Sequence, residues 1–201
     1  MSDPVKNSKK SSNKEKIVCI VTGGLCIALS FVLSQIKIFE MPMGGSVTPA
    51  STLPIAVYAM AFGPVWGFLA AVIFALLQLI GGWLVTPFQV LLDYILGFTA
   101  YGIIGFAAAP YDIRSKISNP LYRFVKAGFF KAVVFTVIAF AVRCFCSVLS
   151  GVIFYADYAP EGMSPWVYSI SYNGSFLLVE LMITLVVMGA VYGTLKKTSR
   201  K

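Results

Sequence analysis

The sequence predicts an all-α membrane protein, a bundle of six transmembrane helices with both chain ends on the cytoplasmic side. Three observations carry this. Hydrophobic residues make up 58% of the 201 residues and charged ones only 12%, a balance that belongs to the membrane class. The apolar residues gather into long runs separated by Gly-Pro breaks, turn-rich stretches and charge. The basic residues sit at the two ends and in one internal loop, while the loops on the other side carry no basic excess.

Residues 1–16 are rich in Lys, Ser and Asn and read as a disordered basic cytoplasmic tail. The membrane domain then covers 17–195, and 196–201 form a second basic tail. The first apolar run, 17–36, is long enough to span a bilayer and longer than the core of a secretory signal, so it reads as an uncleaved first helix. The second segment, 52–62, is too short for a regular span, which implies a tilted or half-embedded helix or one continued by the preceding loop. Gly63-Pro64 separates it from the third segment, 65–81, because proline removes a helix donor and disfavours helix before it. The fourth segment follows at 88–108, the fifth at 124–152 and the sixth at 165–195, with Ser164 placed to cap the last and Pro165 in its first turn. Six crossings put the 111–123 loop, which holds Arg114, Lys116 and Arg123, on the same side as the lysine-rich ends.

The net charge of +8 is therefore a topology signal rather than a groove for nucleic acid. Cys19, Cys26, Cys144 and Cys146 lie in apolar runs and read as small buried hydrophobes, and there is no histidine, so no metal site is expected. Phosphate-binding glycine loops, a Ser/His/Asp set and two-His metal motifs are all missing from the sequence. An enzyme is not expected, no cofactor is implied, and ATP-driven work would fall to partner subunits.

Four ionisable residues fall inside the predicted spans: Asp93, Lys131, Arg143 and Glu180. Each costs about 2.5–3.5 kcal/mol at a helix centre unless compensated. Lys131 is near the cytoplasmic end and can snorkel. Arg143 suits an ion pair with either Asp93 or Glu180. Gln89, Asp93 and Gly97 share one helix face, with Tyr94 beside them and Trp83 upstream. A carboxylate among aromatic rings at the mouth of a bundle suits an organic cation with a flat ring. Arg143, Ser147, Ser150, Gly151 and Phe154 form a second inward stripe, on which Gly151 leaves room for either a ligand ring or another helix. On the sixth helix Trp166, Ser169, Asn173 and Glu180 share a face; Trp166 and the tyrosines also suit an aromatic belt at the headgroups. Tyr168 lies roughly 140° from Asn173 on a regular helix, so the two are not expected to enter one pocket unless the helix starts after Pro165. On the first helix Gly24 and Ala28, next to Cys26 and Ser30, offer close approach either within the bundle or to another protein's helix. A second reading is a structural or assembly protein that binds no ligand and uses these polar groups only to pair helices.

Several stretches together resemble the thiamine-specific substrate-binding (S) components of energy-coupling factor (ECF) transporters. They are M-P-M-G-G-S-V from Met41, Q-V-L-L-D-Y-I-L-G-F from Gln89, S-G-V-I-F-Y-A-D-Y-A-P-E-G from Ser150 and W-V-Y-S-I-S-Y-N from Trp166. The resemblance implies capture of extracellular thiamine at the cell membrane of a bacterium. Delivery would need a transmembrane coupling subunit and two ATPase subunits, with Gly24 and Ala28 docking on the coupling subunit. It carries binding roles onto Asp93, Tyr94, Gly151, Tyr168 and Asn173, puts aromatic contacts at Trp83 and Tyr155, and makes the Met-Pro-Met-Gly-Gly loop a lid. Ser147 stands where the family usually has a binding-site histidine, and Thr86-Pro87 where it has His-Pro. A related heteroaromatic vitamin or precursor is the alternative ligand on that account.

Overall fold

The computed structural model describes the backbone of residues 4–199 and the side chains of residues 13–199; positions 1–3 and 200–201 of the predicted tails lie outside the described residues. Helix α1 spans Pro4–Gln35, with its long apolar stretch at Asn13–Gln35. Its backbone is thus helical back to Pro4, through most of the stretch that composition reads as disordered; Pro4 at the first position is compatible with a helix, and neither proline nor glycine occurs over 5–22 to interrupt it. A two-stranded hairpin, which hydropathy does not announce, pairs β1 (Phe39–Glu40) antiparallel with β2 (Ser46–Val47). Then come α2 (Leu53–Phe62) and α3 (Pro64–Leu77), broken from each other at Gly63-Pro64 as the sequence predicts. The fourth span, α4, covers Pro87–Ala107. The predicted fifth segment divides at Gly128 into an amphipathic α5 (Pro120–Ala127) and a long α6 (Phe129–Phe154). The last helix, α7, runs Pro165–Thr198; Ser164 sits at its cap position but makes no side-chain cap bond. Lys131 is exposed near the start of α6, in keeping with a snorkelling role.

The short second segment lies inside the bundle and is continued by the preceding loop, one of the forms its length allows. Eight of the ten α2 residues are buried, including Ile55, Tyr58 and Met60, so α2 is the central helix of the bundle. A helix that is apolar on every side has no solvent or lipid face to prefer and belongs in the interior. Helices α1, α3, α4, α5 and α7 all touch it. Above it the chain descends as non-helical backbone: Thr48, Ala50, Ser51 and Thr52 are buried, and the Thr48 hydroxyl reaches Glu180 Oε1 at 2.9 Å. Glu180 is fifteen residues into α7, about 22 Å along its axis. Irregular backbone at such a depth is tolerated only where protein surrounds it or a cavity adjoins it. Both conditions hold here, and they explain why ten helical residues suffice.

Helix α4 is irregular. Its first turn is capped by the Thr86 hydroxyl, which accepts from Gln89 N–H at 3.1 Å. It loosens into a π-helical turn at Leu91–Leu96 and tightens to a 3-10 helix over Ala100–Ala107. The tight end presses on α3. A Cβ built on Gly105 would fall 2.5 Å from Pro64 Cα, and one on Gly102 would fall 2.4 Å from Phe68 Cδ1. The small residues of this helix serve internal packing. The substitution Gly105→Ala should destabilise the detergent-solubilised protein by about 1–3 kcal/mol. A thermal melt would show this as a lowered midpoint. The control Gly193→Ala, where a Cβ meets nothing within 4 Å, should leave the midpoint in place.

Candidate ligand-binding site

A cavity of about 440 Å³ opens at the end of the bundle opposite both chain ends. The ends of α1 and α3, the hairpin, the start of α4, the last turns of α6 and the first turns of α7 converge on it. Of the sequence-predicted site residues, Trp83, Asp93, Tyr94, Ser147, Gly151, Tyr155, Tyr168 and Asn173 all line it. Trp166 does not: it is half-exposed in the first turn of α7.

Asp93 and Tyr94 project from the π-helical turn of α4, a geometry that re-aims side chains and often marks functional sites. Two donors reach one oxygen of the carboxylate: Gln89 Nε2 at 2.8 Å and Ser150 Oγ at 2.8 Å both meet Oδ2, which leaves Oδ1 outside this pair of bonds. Gln89 is itself buried and braces the preceding loop, accepting from Val85 N–H at 3.1 Å and donating to the Trp83 carbonyl at 3.3 Å. The Tyr94 hydroxyl accepts from Trp83 N–H at 2.7 Å. Its ring stacks on Phe98, with centroids 6.1 Å apart and planes 19° from parallel. The acid and its neighbouring rings are therefore held by protein before any ligand arrives.

Deeper in the cavity, Arg143 pairs with Glu180 at 3.7 Å, which settles the two partners the sequence leaves open. Its guanidinium lies 4.0 Å from the Phe98 ring centroid and donates to the Tyr101 hydroxyl. Glu180 Oε1 accepts from Thr48 at 2.9 Å and from Ser51 at 3.3 Å. At the rim Lys37 pairs with Glu40. The charged groups lining the cavity are Lys37, Glu40, Asp93, Arg143 and Glu180. Two pairs cancel, and among the described residues Asp93 is left as the carboxylate with no basic side chain paired to it.

The α7 wall corrects one expectation. Its helix starts at Pro165, yet Tyr168 and Asn173 both line the cavity. Tyr168, Ser169, Tyr172, Asn173, Phe176 and Glu180 together cover an arc of roughly 140° at about 100° per residue, so the cavity wraps the helix and the two residues sit at opposite edges. The Asn173 amide donates to the Ser169 carbonyl at 3.0 Å and to the Ser147 carbonyl at 3.3 Å, tying α7 to α6. Gly151 serves that same seam. A Cβ there would fall 2.1 Å from Ser169 Oγ, so its bareness admits the neighbouring helix as well as bordering the cavity. Ser147 is buried in the wall below Gly151. Phe98, Tyr172, Phe176 and the polar pair Ser34 and Gln78 also line the cavity without having been singled out by sequence; Ser34 Oγ donates to Gln78 Oε1 at 3.0 Å. The aromatic spacing of Tyr168, Tyr172 and Phe176 at four residues was the signal available for two of them. Far from the cavity mouth, Gly24 and Ala28 are exposed on α1, whereas Cys26 is half-buried and Ser30 fully buried.

Removing one member of the buried pair strands the other. Arg143→Met should lower stability by about 3–5 kcal/mol, and the double substitution Arg143→Met with Glu180→Gln should recover most of that loss in a thermal melt.

Comparison with known proteins agrees with this architecture. The model of the family described as thiamine transporter protein (Thia_YuaJ) matches residues 20–200. The thiamine transporter ThiT of Bacillus subtilis is 28% identical over 191 residues, which cover 91% of this chain and 94% of the relative. ThiT of Lacticaseibacillus paracasei is 33% identical over 144 residues, 69% of each chain. The solved structure of ThiT from Listeria monocytogenes superposes with a TM-score of 0.72 over 91% of this chain and 97% of that one; at 23% identity the likeness is one of fold. With nine-tenths of its length matched by the family model, this multi-pass membrane protein belongs to the thiamine transporter protein family.

Proposed function

We propose that this protein captures thiamine from outside the cell as the S component of an ECF transporter. The observation that carries the reading is the charge left over in the cavity. Lys37 with Glu40 and Arg143 with Glu180 are paired, so Asp93 supplies the cavity's one uncompensated negative charge. Thiamine carries one fixed positive charge, on the thiazolium, and two flat rings. Asp93 can balance that charge or accept from the aminopyrimidine, and Trp83, Tyr94, Phe98, Tyr155 and Tyr168 offer ring faces and edges around it. Ser147 supplies a hydroxyl, Asn173 a polar edge and Gly151 the space beside them. The cavity is large enough to enclose a two-ring ligand, and binding sites of a few hundred cubic ångströms normally do enclose theirs.

Delivery needs an energy source that this chain does not contain, since its sequence has no phosphate-binding loop of the G-x-x-x-x-G-K-[ST] kind. A transmembrane coupling subunit and two ATPase subunits would supply it. The exposed Gly24 and Ala28 face of α1 supports docking on the coupling subunit, because small residues allow close helix approach within lipid.

Isothermal calorimetry on the detergent-purified protein tests the substrate. A folded sample that releases no heat with thiamine would overturn the reading. The substitution Asp93→Asn should weaken thiamine binding by about 2–5 kcal/mol, while Lys131→Ala on the outer surface of α6 should leave affinity unchanged. Equal losses in both would show that Asp93 has no special part. The substitution Gly24→Leu should keep thiamine binding but abolish energised uptake into cells that also express the coupling and ATPase subunits; uptake at the wild-type rate would remove α1 from the docking surface.

A further inference from the structure

The hairpin that roofs the cavity is rooted at its base and held at its tip chiefly by one side chain, Tyr172, with a longer contact from Ser175 Oγ to Met41 Sδ at 3.6 Å. At the base, Val47 is buried against Phe176 and Leu177 of α7. The hairpin is closed on itself by Ile38 N–H to the Val47 carbonyl at 2.9 Å and Met41 N–H to the Gly45 carbonyl at 2.6 Å. At the tip, the Tyr172 hydroxyl donates to the Pro42 carbonyl and accepts from Gly45 N–H at 3.4 Å, so one phenol engages both arms of the turn. Its ring is seated between Tyr168 and Phe176, at centroid distances of 6.1 and 6.0 Å, which fixes the hydroxyl in place from the α7 side.

The turn itself is not at rest. Met43 has φ +63° and ψ 23°, a left-handed conformation that disfavours a residue with a side chain. Gly44, at φ +94°, backs onto Trp83, where a Cβ would come within 2.9 Å of the Trp83 Cβ. The tip is thus wedged between Trp83 and α7 in a strained shape, and Tyr172 makes the two side-chain hydrogen bonds to the backbone of the turn that favour that shape.

We propose that Tyr172 is a positioning residue that clasps the 41–45 tip over the cavity and thereby sets how long a bound ligand stays. The residence-time part rests on the cavity being the thiamine site. The clasp itself does not, because both hydrogen bonds are made within the protein.

The test uses the full-length protein in nanodiscs, wild type against Tyr172→Phe, with Tyr158→Phe as a control whose ring is exposed outside the cavity. Hydrogen exchange of the ligand-free protein reads the clasp: amides of 41–47 should exchange about tenfold faster in Tyr172→Phe and unchanged in Tyr158→Phe, the effect of losing two modest hydrogen bonds. Stopped-flow tryptophan fluorescence with thiamine reads the consequence, with dissociation about tenfold faster in Tyr172→Phe. Unchanged exchange overturns the clasp, and faster exchange with unchanged dissociation overturns its control of residence. A wild-type protein that binds no thiamine sinks the substrate reading while the exchange result still decides the clasp. Should Tyr172→Phe fail to fold, Gly45→Ala attacks the same contact from the lid, since its Cβ would fall 3.1 Å from the Tyr172 hydroxyl and 2.9 Å from Phe176. It should raise lid exchange in the same way.

Discussion

The pairing of Arg143 with Glu180 is the constraint around which the bundle is arranged. An arginine and a glutamate buried within a membrane domain each carry an insertion cost of a few kcal/mol unless their charges are met. Here the guanidinium is met from two neighbouring helices at once: Glu180 on α7, and on α4 the Phe98 ring and the Tyr101 hydroxyl, with Arg143 itself on α6. The other carboxylate oxygen of Glu180 receives the hydroxyls of Thr48 and Ser51, which pins the irregular descent into α2. The salt bridge of Arg143 is thus to Glu180 and not to Asp93. The structural charges and the proposed binding charge sit in one cavity but have separate hydrogen-bond and ion-pair partners.

Irregular backbone then appears where the cavity needs it. The descent from the hairpin to Thr52 and the π-helical turn under Asp93 both border the cavity. Elsewhere in lipid such backbone would leave polar groups unmet. The cavity, the proposed binding site, is therefore also the reason these two departures from regular helix are tolerated.

This geometry also explains what could be read from the sequence. Hydropathy and the placement of Lys and Arg give segment number and the end of the bundle where the site lies, because both depend on composition along the chain. The Gln89–Asp93 face was legible because the two residues hydrogen-bond at the four-residue spacing that a helix imposes. The partner of Arg143 was not, since periodicity gives a residue's direction but not its depth. Helical-wheel angles misjudged Tyr168 and Asn173 because they presume a pocket narrower than the helix, whereas this one wraps it. Trp166 shares a face with Asn173 but stands two turns nearer the headgroups, outside the lining of the cavity. The buried α2 escaped because a window that counts apolar residues cannot tell a helix facing lipid from one facing only other helices.

The braces around the cavity differ in strength from side to side, and that difference bears on how a ligand enters. The α4 wall is braced by Gln89 and Tyr94 and tied to α6 by Ser150, and the α6–α7 seam is closed by Ser169 against Gly151 and by the Asn173 amide on the Ser147 carbonyl. Separating those helices would break several buried hydrogen bonds together and would open the seam that the Arg143–Glu180 pair spans. The hairpin tip, in contrast, is held over the cavity by two hydrogen bonds to one phenol and a long one from Ser175 to the Met41 sulfur, and it contains a strained residue. If the cavity is the proposed ligand site, walls that rigid and a roof more lightly fastened make the roof the part to yield, so that selectivity would reside in fixed groups around Asp93 and passage in a few residues of loop.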